Sequence, residues 1–393
     1  MTQLFKPTVI VCSILAATYF IPKPAPVNKK VLVTESNEIK GKAAQKIQAA
    51  ILLDVSNSMD GLIEQAKAQL WNMVSVMGKA TCDNGLAPQI EIALYEYGRS
   101  NNDVKAGFVK QVSGFTSDLD KLSQQLFNLT TNGGDEYCGQ VIYTSLKDLN
   151  WDSDPANYKV IFIAGNEDFL QGRLQYTKAC DEAKQKGVIV NTIYCGERMQ
   201  GIREHWNLNA ECGNGSYTNI NQNEKTEDIP TPYDSTIFAL NNQLNGTYIS
   251  FGERGQAGYA AQASADEMNY KMNKSVAVKR VTVKGKKELY KNSTWDAVDA
   301  AEKDKNFAEK VDIKTLPDSL QKKSRKDIQL IIEKKAAERT KIHKEIESIN
   351  TQREVYIANE KKKAATNNKS ATLESEVEKI IKKQAVRYKM VIE

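Results

Sequence analysis

The chain has 393 residues, 41% hydrophobic and 26% charged, an ordinary soluble composition long enough for two or three domains and at least one sizeable core. Its net charge of +5 is unevenly placed: residues 301–393 hold 23 Lys/Arg against 16 Asp/Glu, so the basic excess belongs to a tail. With only two histidines, His205 beside Trp206 and His343 on a charged helix, neither near a nucleophile-like Ser or Cys, hydrolysis of the Ser–His or Cys–His type is not expected.

The N-terminus reads as a targeting segment. An apolar run from Val9 to Ile21 follows Lys6 and precedes Pro22, Pro24 and Pro26. That run is shorter than the ~20 residues of a membrane span, so residues 1–25 are expected to be a signal peptide, with an uncleaved membrane anchor as the alternative. Val11 before Cys12 argues against lipidation. An exported, extracytoplasmic protein is expected, periplasmic or secreted, or held at the inner membrane by its N-terminus. Residues 26–46 lack periodicity and read as a spacer.

From there the pattern becomes regular. Ile47–Asp54 is an apolar run ending in an acid, suited to a central strand buried on both faces. Leu62, Ala66, Leu70, Met73 and Met77 recur at helical spacing and predict a helix over 60–79. Further strands are expected at 90–97, 107–112, 158–164, 188–194 and 216–220. Helices are expected at 119–129, 141–149, 174–186 and 234–245. Strands alternating with such helices predict a doubly wound, mainly parallel α/β sheet over 47–250. Ligands of such sheets sit beyond the carboxyl ends of the strands, which is where Asp54 falls.

Residues 251–291, with Gly252, Gly255, Gly258 and a basic patch at 278–287, read as an exposed linker. Residues 292–393 read as a charged α-helical tail. Ile328, Ile332, Ile342, Ile346, Ile349 and Tyr356 form a seam at coiled-coil spacing, interrupted by Lys335, Arg339 and Arg353. A second run, Leu373–Tyr388, follows a turn at 367–370, so a helical hairpin is expected, open to self-association. The basic residues read as a solvated face, and without interleaved aromatics they predict no nucleic-acid binding. Of the cysteines after residue 25, Cys195 and Cys212 are the pair singled out for a disulfide, with buried free thiols as the alternative.

The chemistry-bearing motif is Asp54-Val55-Ser56-Asn57-Ser58. At the end of a buried strand, one carboxylate and two hydroxyls offer hard oxygen ligands to a divalent cation. The competing reading makes Ser56 or Ser58 a helix N-cap. In this motif and in its order of elements the chain resembles the von Willebrand factor A (VWA) family over roughly residues 45–250, just over half its length. The resemblance implies a doubly wound fold and a metal-ion-dependent adhesion site, or MIDAS. That site takes Asp-x-Ser-x-Ser from the first loop, a Thr from a second and an Asp from a third. Asp54, Ser56 and Ser58 match. The second loop departs from the pattern, with Asp135 falling on the Thr position and Glu136 beside it. So does the third, where Gly165 falls on the Asp position and is followed by Asn166, Glu167 and Asp168. A carboxylate moved from loop three to loop two would keep the charge of the site. Otherwise Asn166 or Glu167 reaches in, or the ion is not bound. Asp118, Asp120 and Asp168 read as helix-start or surface acids.

The expected cofactor is Mg²⁺, with Mn²⁺ or Ca²⁺ as alternatives. No dinucleotide or phosphate loop is present, and adjacent acids such as Asp135 and Glu136 seldom face each other across a substrate, so no enzyme is expected. The expected role is binding of a protein partner, through its Asp or Glu side chain completing the ion. The alternative is a scaffold acting through the helical tail over a vestigial metal site. Segments 290–299 and 334–339 are similar to the tails of exported bacterial VWA proteins with no assigned activity.

Overall fold

The computed structural model describes residues 44–224, 228–363 and 372–392; the expected targeting segment, most of the spacer and the turn at 367–370 lie outside them. Apolar runs form the central strands. β1 (Lys46–Asp54) leads through helix α1 (Asp60–Met77) and a two-residue strand β2 (Ala80–Thr81) to β3 (Gln89–Tyr97) and β4 (Lys110–Thr116). Helices α2 (Leu119–Phe127) and α3 (Cys138–Asp148) precede β5 (Tyr158–Gly165). Next come α4 (Tyr176–Lys186), β6 (Ile189–Cys195), α5 (Arg198–Arg203), α6 (Trp206–Cys212) and β7 (Tyr217–Ile220). The sheet order is β4-β3-β1-β5-β6-β7, parallel throughout except for the β4 edge, which runs antiparallel to β3. The order reverses around β1, so its carboxyl end opens onto the crevice where doubly wound sheets bind ligands. Asp54, the last residue of β1, stands there opposite Tyr97 of β3.

Apolar layers cover both faces of the sheet. Trp71 and Leu70 of α1 and Leu122 of α2 fill one; Val141 and Ile142 of α3 and Trp206 of α6 fill the other. The remaining helices are α7 (Asp234–Asn245), α8 (Gly255–Met272), α9 (Lys274–Lys284), α10 (Ala297–Lys303), α11 (Phe307–Lys310), α12 (Asp318–Gln321), the long α13 (Arg325–Lys363) and α14 (Leu373–Ala385). Strand β8 (Val391–Ile392) closes the chain against β2.

Three expectations are corrected here. Residues 251–291 are not a linker: α8 and α9 form within them, and Asn273 caps α9 by accepting the Val276 N–H at 3.0 Å. The basic patch turns inward. Arg280, 1% exposed, reaches Asp120 of α2 and Asp266 of α8, both at 2.6 Å, and lies 4.6 Å from the Trp71 ring centre. Lys284, fully buried, holds Asp266 at 2.8 Å and two asparagine carbonyls of α7. Asp120 is thus a buried ion-pair partner, not a surface acid, while Asp118 does cap α2.

Second, the long helix of the tail is not a free-standing seam open to self-association. The Ile328–Tyr356 seam of α13 is spent inside the chain: Ile328 and Ile332 pack among α10–α12, and Ile342 and Ile346 against α7 and α9. Its interrupting arginines are paired, Arg339 with Asp296 at 2.8 Å and Arg353 with Asp234 at 2.8 Å.

Third, α14 packs against α1 and β7. It lays Leu373, Val377, Ile380, Ile381 and Ala385 into the core beneath the sheet. Its Gln384 accepts the Tyr158 hydroxyl of β5 at 2.8 Å. Ala43–Glu393 is accordingly one compact unit, not a domain, a linker and a tail.

Candidate functional site

Asp54 lies at the floor of the crevice with no exposure, and its Oδ1 accepts the Ser56 N–H at 2.8 Å. The first loop then closes a single 3-10 turn, with Met59 N–H donating to the Ser56 carbonyl at 3.1 Å. Neither serine caps a helix: no side-chain cap is made at Ser56 or at the start of α1. The two hydroxyls stand 3.4 Å apart, Ser56 buried and Ser58 exposed at the mouth. Asn132 N–H donates to Val55 O at 2.9 Å and ties the second loop to the first.

One acid of the second loop points inward. It is Glu136, 5% exposed, whose carboxyl meets Asp54 and Ser56. Asp135, expected on the Thr position, turns outward and accepts the Tyr137 hydroxyl at 3.0 Å. Thr130 and Thr131 of the same loop are spent elsewhere, on Arg99 and Asp60. On the third loop Asn166 reaches the mouth, its amide donating to Ser58 Oγ at 3.2 Å. Glu167 is exposed and enters only as a nearby charge.

Three residues the sequence reading passed over complete the frame. Tyr97, fully buried, donates to the Ala164 carbonyl at 2.9 Å. Trp206 Nε1–H donates to Glu167 O at 2.7 Å and braces loop three. Gln171 accepts the Glu136 N–H at 3.3 Å. Their only sequence signal was aromatic or amide character at strand ends and in loops, too common to single out. Together Tyr97 and Trp206 explain Gly165. A Cβ there would stand 2.5 Å from Tyr97 Oη, 3.0 Å from Asp54 Oδ2 and 3.1 Å from the Trp206 ring, so no side chain fits.

The electrostatics follow from burial. Asp54 Oδ2 and Glu136 Oε2 are buried without a hydrogen-bond donor from the rest of the protein. Burial, then the neighbouring Asp54 carboxyl, pushes Glu136 up to about 10; burial raises Asp54 as well. Two carboxyls this close and this buried resist carrying both charges at once, so the pair by itself favours keeping a proton. A hard divalent cation suits the same oxygens, and the residues present fit one: two carboxylates, two hydroxyls and an amide, all oxygen donors. Among the described residues no three His, Cys, Asp or Glu side chains converge, so hydroxyls and water must fill the remaining positions.

A raised folded-state pKa in an acid means stability is greatest below the unfolded value and is lost as pH rises toward the folded one. Glu136→Gln removes that loss. It is expected to stabilise the metal-free protein by about 2–3 kcal/mol at pH 7, from some 2.5 pKa units at 1.36 kcal/mol each, discounted for relaxation. Urea melts at pH 5 and pH 8 check this: the gap over wild type should widen at pH 8, and a gap that shrinks would refute it.

No family model matches the chain, and no curated protein matches it. Solved structures do. An aerotolerance-related membrane protein from Bacteroides fragilis with multiple mutations to serines is 16% identical, with 45% of this chain and 93% of that one covered and a TM-score of 0.32. A von Willebrand factor type A structure from Catenulispora acidiphila is 14% identical, covering 45% and 39%, TM-score 0.34. Proximal thread matrix protein 1 from the mussel byssus, with a zinc-occupied MIDAS motif, is 12% identical, covering 45% and 42%, TM-score 0.32. The chain thus spans less than half the length of the last two. The fold is of the VWA type. That statement rests on the sheet order, the antiparallel β4 edge and the Asp54 motif at the carboxyl end of β1.

The disulfide of this VWA-type domain joins Cys180 of α4 to Cys212 of α6, with a Cα separation of 5.6 Å. Cys195, expected to pair with Cys212, is a buried free thiol at the end of β6. The bridge anchors the helix that begins with Trp206. Cys212→Ser is expected to lower unfolding free energy by about 2–3 kcal/mol in oxidising buffer and to match wild type in reducing buffer. Equal stability in both buffers would contradict it.

Proposed function

We propose that this is a non-catalytic, protein-binding domain of the cell envelope whose crevice exchanges a proton for a divalent cation. The observation that carries the reading is the Asp54–Glu136 pair, two buried carboxyls with unpartnered oxygens beneath two hydroxyls at a loop mouth. Asp54, Glu136, Ser56 and Ser58 would hold the ion, with Asn166 at the rim. The donors are hard oxygens, which favours Mg²⁺, Mn²⁺ or Ca²⁺ over softer metals. When bound, the cation supplies positive charge that neutralises the two carboxylates and fixes the first and second loops against each other.

Two further observations support the reading. Among the described residues, neither histidine is hydrogen-bonded to a Ser or Cys; His205 pairs with Asp168 at 3.0 Å, and His343 is half-buried with its Nε2 covered and unpartnered. That favours binding over nucleophilic catalysis. The Cys180–Cys212 bridge suits an oxidising compartment and so an extracytoplasmic place. Among the described residues no helix is long and apolar enough to cross a membrane; the apolar run at 9–21, proposed here as signal or anchor, lies outside them. The scaffold alternative has less to draw on, because the α13 seam is already buried within the chain.

Thermal melting of the full chain in Mn²⁺, in Mg²⁺ and in chelator tests the proposal. Saturating ion at about 100 times its Kd should stabilise wild type by roughly 2.7 kcal/mol. Asp54→Asn should abolish that rise. An ion-independent melting temperature in wild type would overturn the metal part of the reading.

A further inference from the structure

The partner's chemistry can be argued from the face around the crevice, resting on the reading that this face binds a protein. Two loops converge on the Tyr137 ring beside Glu136. From the β3–β4 side, Phe108 meets it edge-on at 5.7 Å between ring centres, and a Cβ on Gly107 would stand 3.2 Å away. From the β5–α4 side, a Cβ on Gly172 would stand 2.8 Å away. On those loops Val104 is 63% exposed and Leu170 43% exposed. Phe108 holds a left-handed backbone at φ 57°, which L side chains seldom adopt. The two loops that meet at the Phe108–Tyr137 contact thus also expose Val104 and Leu170, an apolar shelf carried by the loops that frame the acidic crevice.

The charge around the shelf is one-sided. Residues 54–60, 98–109, 128–137 and 165–175, the loops that frame the crevice, carry seven carboxylates against three cations. One of those cations, Arg99, is spent on Glu96 at 3.3 Å and on Thr130. A divalent ion in the crevice offsets only Asp54 and Glu136. Asp60, Asp103, Asp135, Glu167 and Asp168 still outnumber the bases, on a chain whose net charge is +5. An incoming Asp or Glu would meet this field, whereas a Lys or Arg would be drawn in.

We propose that the face docks a basic peptide segment of a partner protein, its apolar side chain on the Val104–Tyr137–Leu170 shelf and its Lys or Arg toward Asp135, Glu167 and Asp168.

Fluorescence anisotropy on the full chain tests this with labelled acetyl-Gly-Lys-Phe-Leu-Lys-Gly-amide and its counterparts with Glu or Ser in place of Lys, in saturating Mn²⁺ and in chelator. The Lys peptide should bind about tenfold or more tighter than the Glu peptide, and added salt should weaken it. Val104→Ser with Leu170→Ser should cost the Lys peptide about tenfold while the melting temperature and its Mn²⁺ shift stay put. Tighter binding of the Glu peptide, no discrimination, a silent double variant, or no binding of any peptide would each overturn the proposal. Lys-peptide binding without any Mn²⁺ shift in melting would sink the metal reading and leave this one standing.

Discussion

A chain ending at residue 371 is expected to lose its cooperative fold. The deleted segment carries Leu373, Val377, Ile380, Ile381, Ala385 and Met390, all buried in the layer that covers one face of the sheet. At about 1.5–3 kcal/mol for each large side chain, their loss approaches the 5–15 kcal/mol that stabilises a typical domain. The cut also strips Gln384 from the buried Tyr158 hydroxyl and from Asn191, whose side chain it meets at 2.7 Å. It removes the antiparallel partner of β2 as well. Circular dichroism through a urea titration is the check: the truncated chain should show no sigmoidal transition. A transition within about 2 kcal/mol of wild type would mean that α14 is an appendage after all.

The second large effect concerns a substitution that family resemblance alone would recommend. Gly165→Asp restores the carboxylate of the third loop, yet the structure has no room for it. Its Cβ would overlap Tyr97 Oη at 2.5 Å, and a third acid would be forced beside Asp54 and Glu136. Overpacking at backbone-fixed positions costs about 1–3 kcal/mol, and an unpaired buried charge costs several more. A loss of at least about 4 kcal/mol in urea unfolding is therefore expected, with Gly165→Ala losing less because it adds volume without charge. A Gly165→Asp variant as stable as wild type, with tighter Mn²⁺ binding, would contradict the claim that Glu136 has replaced the third-loop acid.

Much of the α/β core was legible because its signals are local. The apolar run at 47–54 can be satisfied only inside a sheet, and the 3.6-residue spacing of Leu62, Ala66, Leu70 and Met73 marks α1 within two residues of its observed end at Met77. The same holds for the motif: Asp54, Ser56 and Ser58 do gather at one strand end. What failed was decided by tertiary contact. Asp135 and Glu136 are adjacent and chemically alike; the fold alone tells them apart, with Asp135 accepting the Tyr137 hydroxyl and Glu136 buried beside Asp54. Cys212 meets Cys180 because α4 and α6 are neighbours across β6, which spacing in sequence does not reveal. Arg280, Lys284, Arg339 and Arg353 read as solvated cations, yet all are buried on carboxylates supplied by distant segments. A basic patch in sequence carries no mark of whether its counter-charges lie in solvent or in the fold.

The central claim is that Asp54 and Glu136 trade a shared proton for a divalent cation. Calorimetric titration of Mn²⁺ into the full chain at pH 7, repeated in two buffers of different ionisation enthalpy, tests it most directly. Binding should release about one proton per ion, seen as a buffer-dependent heat, and should vanish in Asp54→Asn and in Glu136→Gln. Binding without proton release, or binding that survives either substitution, would contradict it.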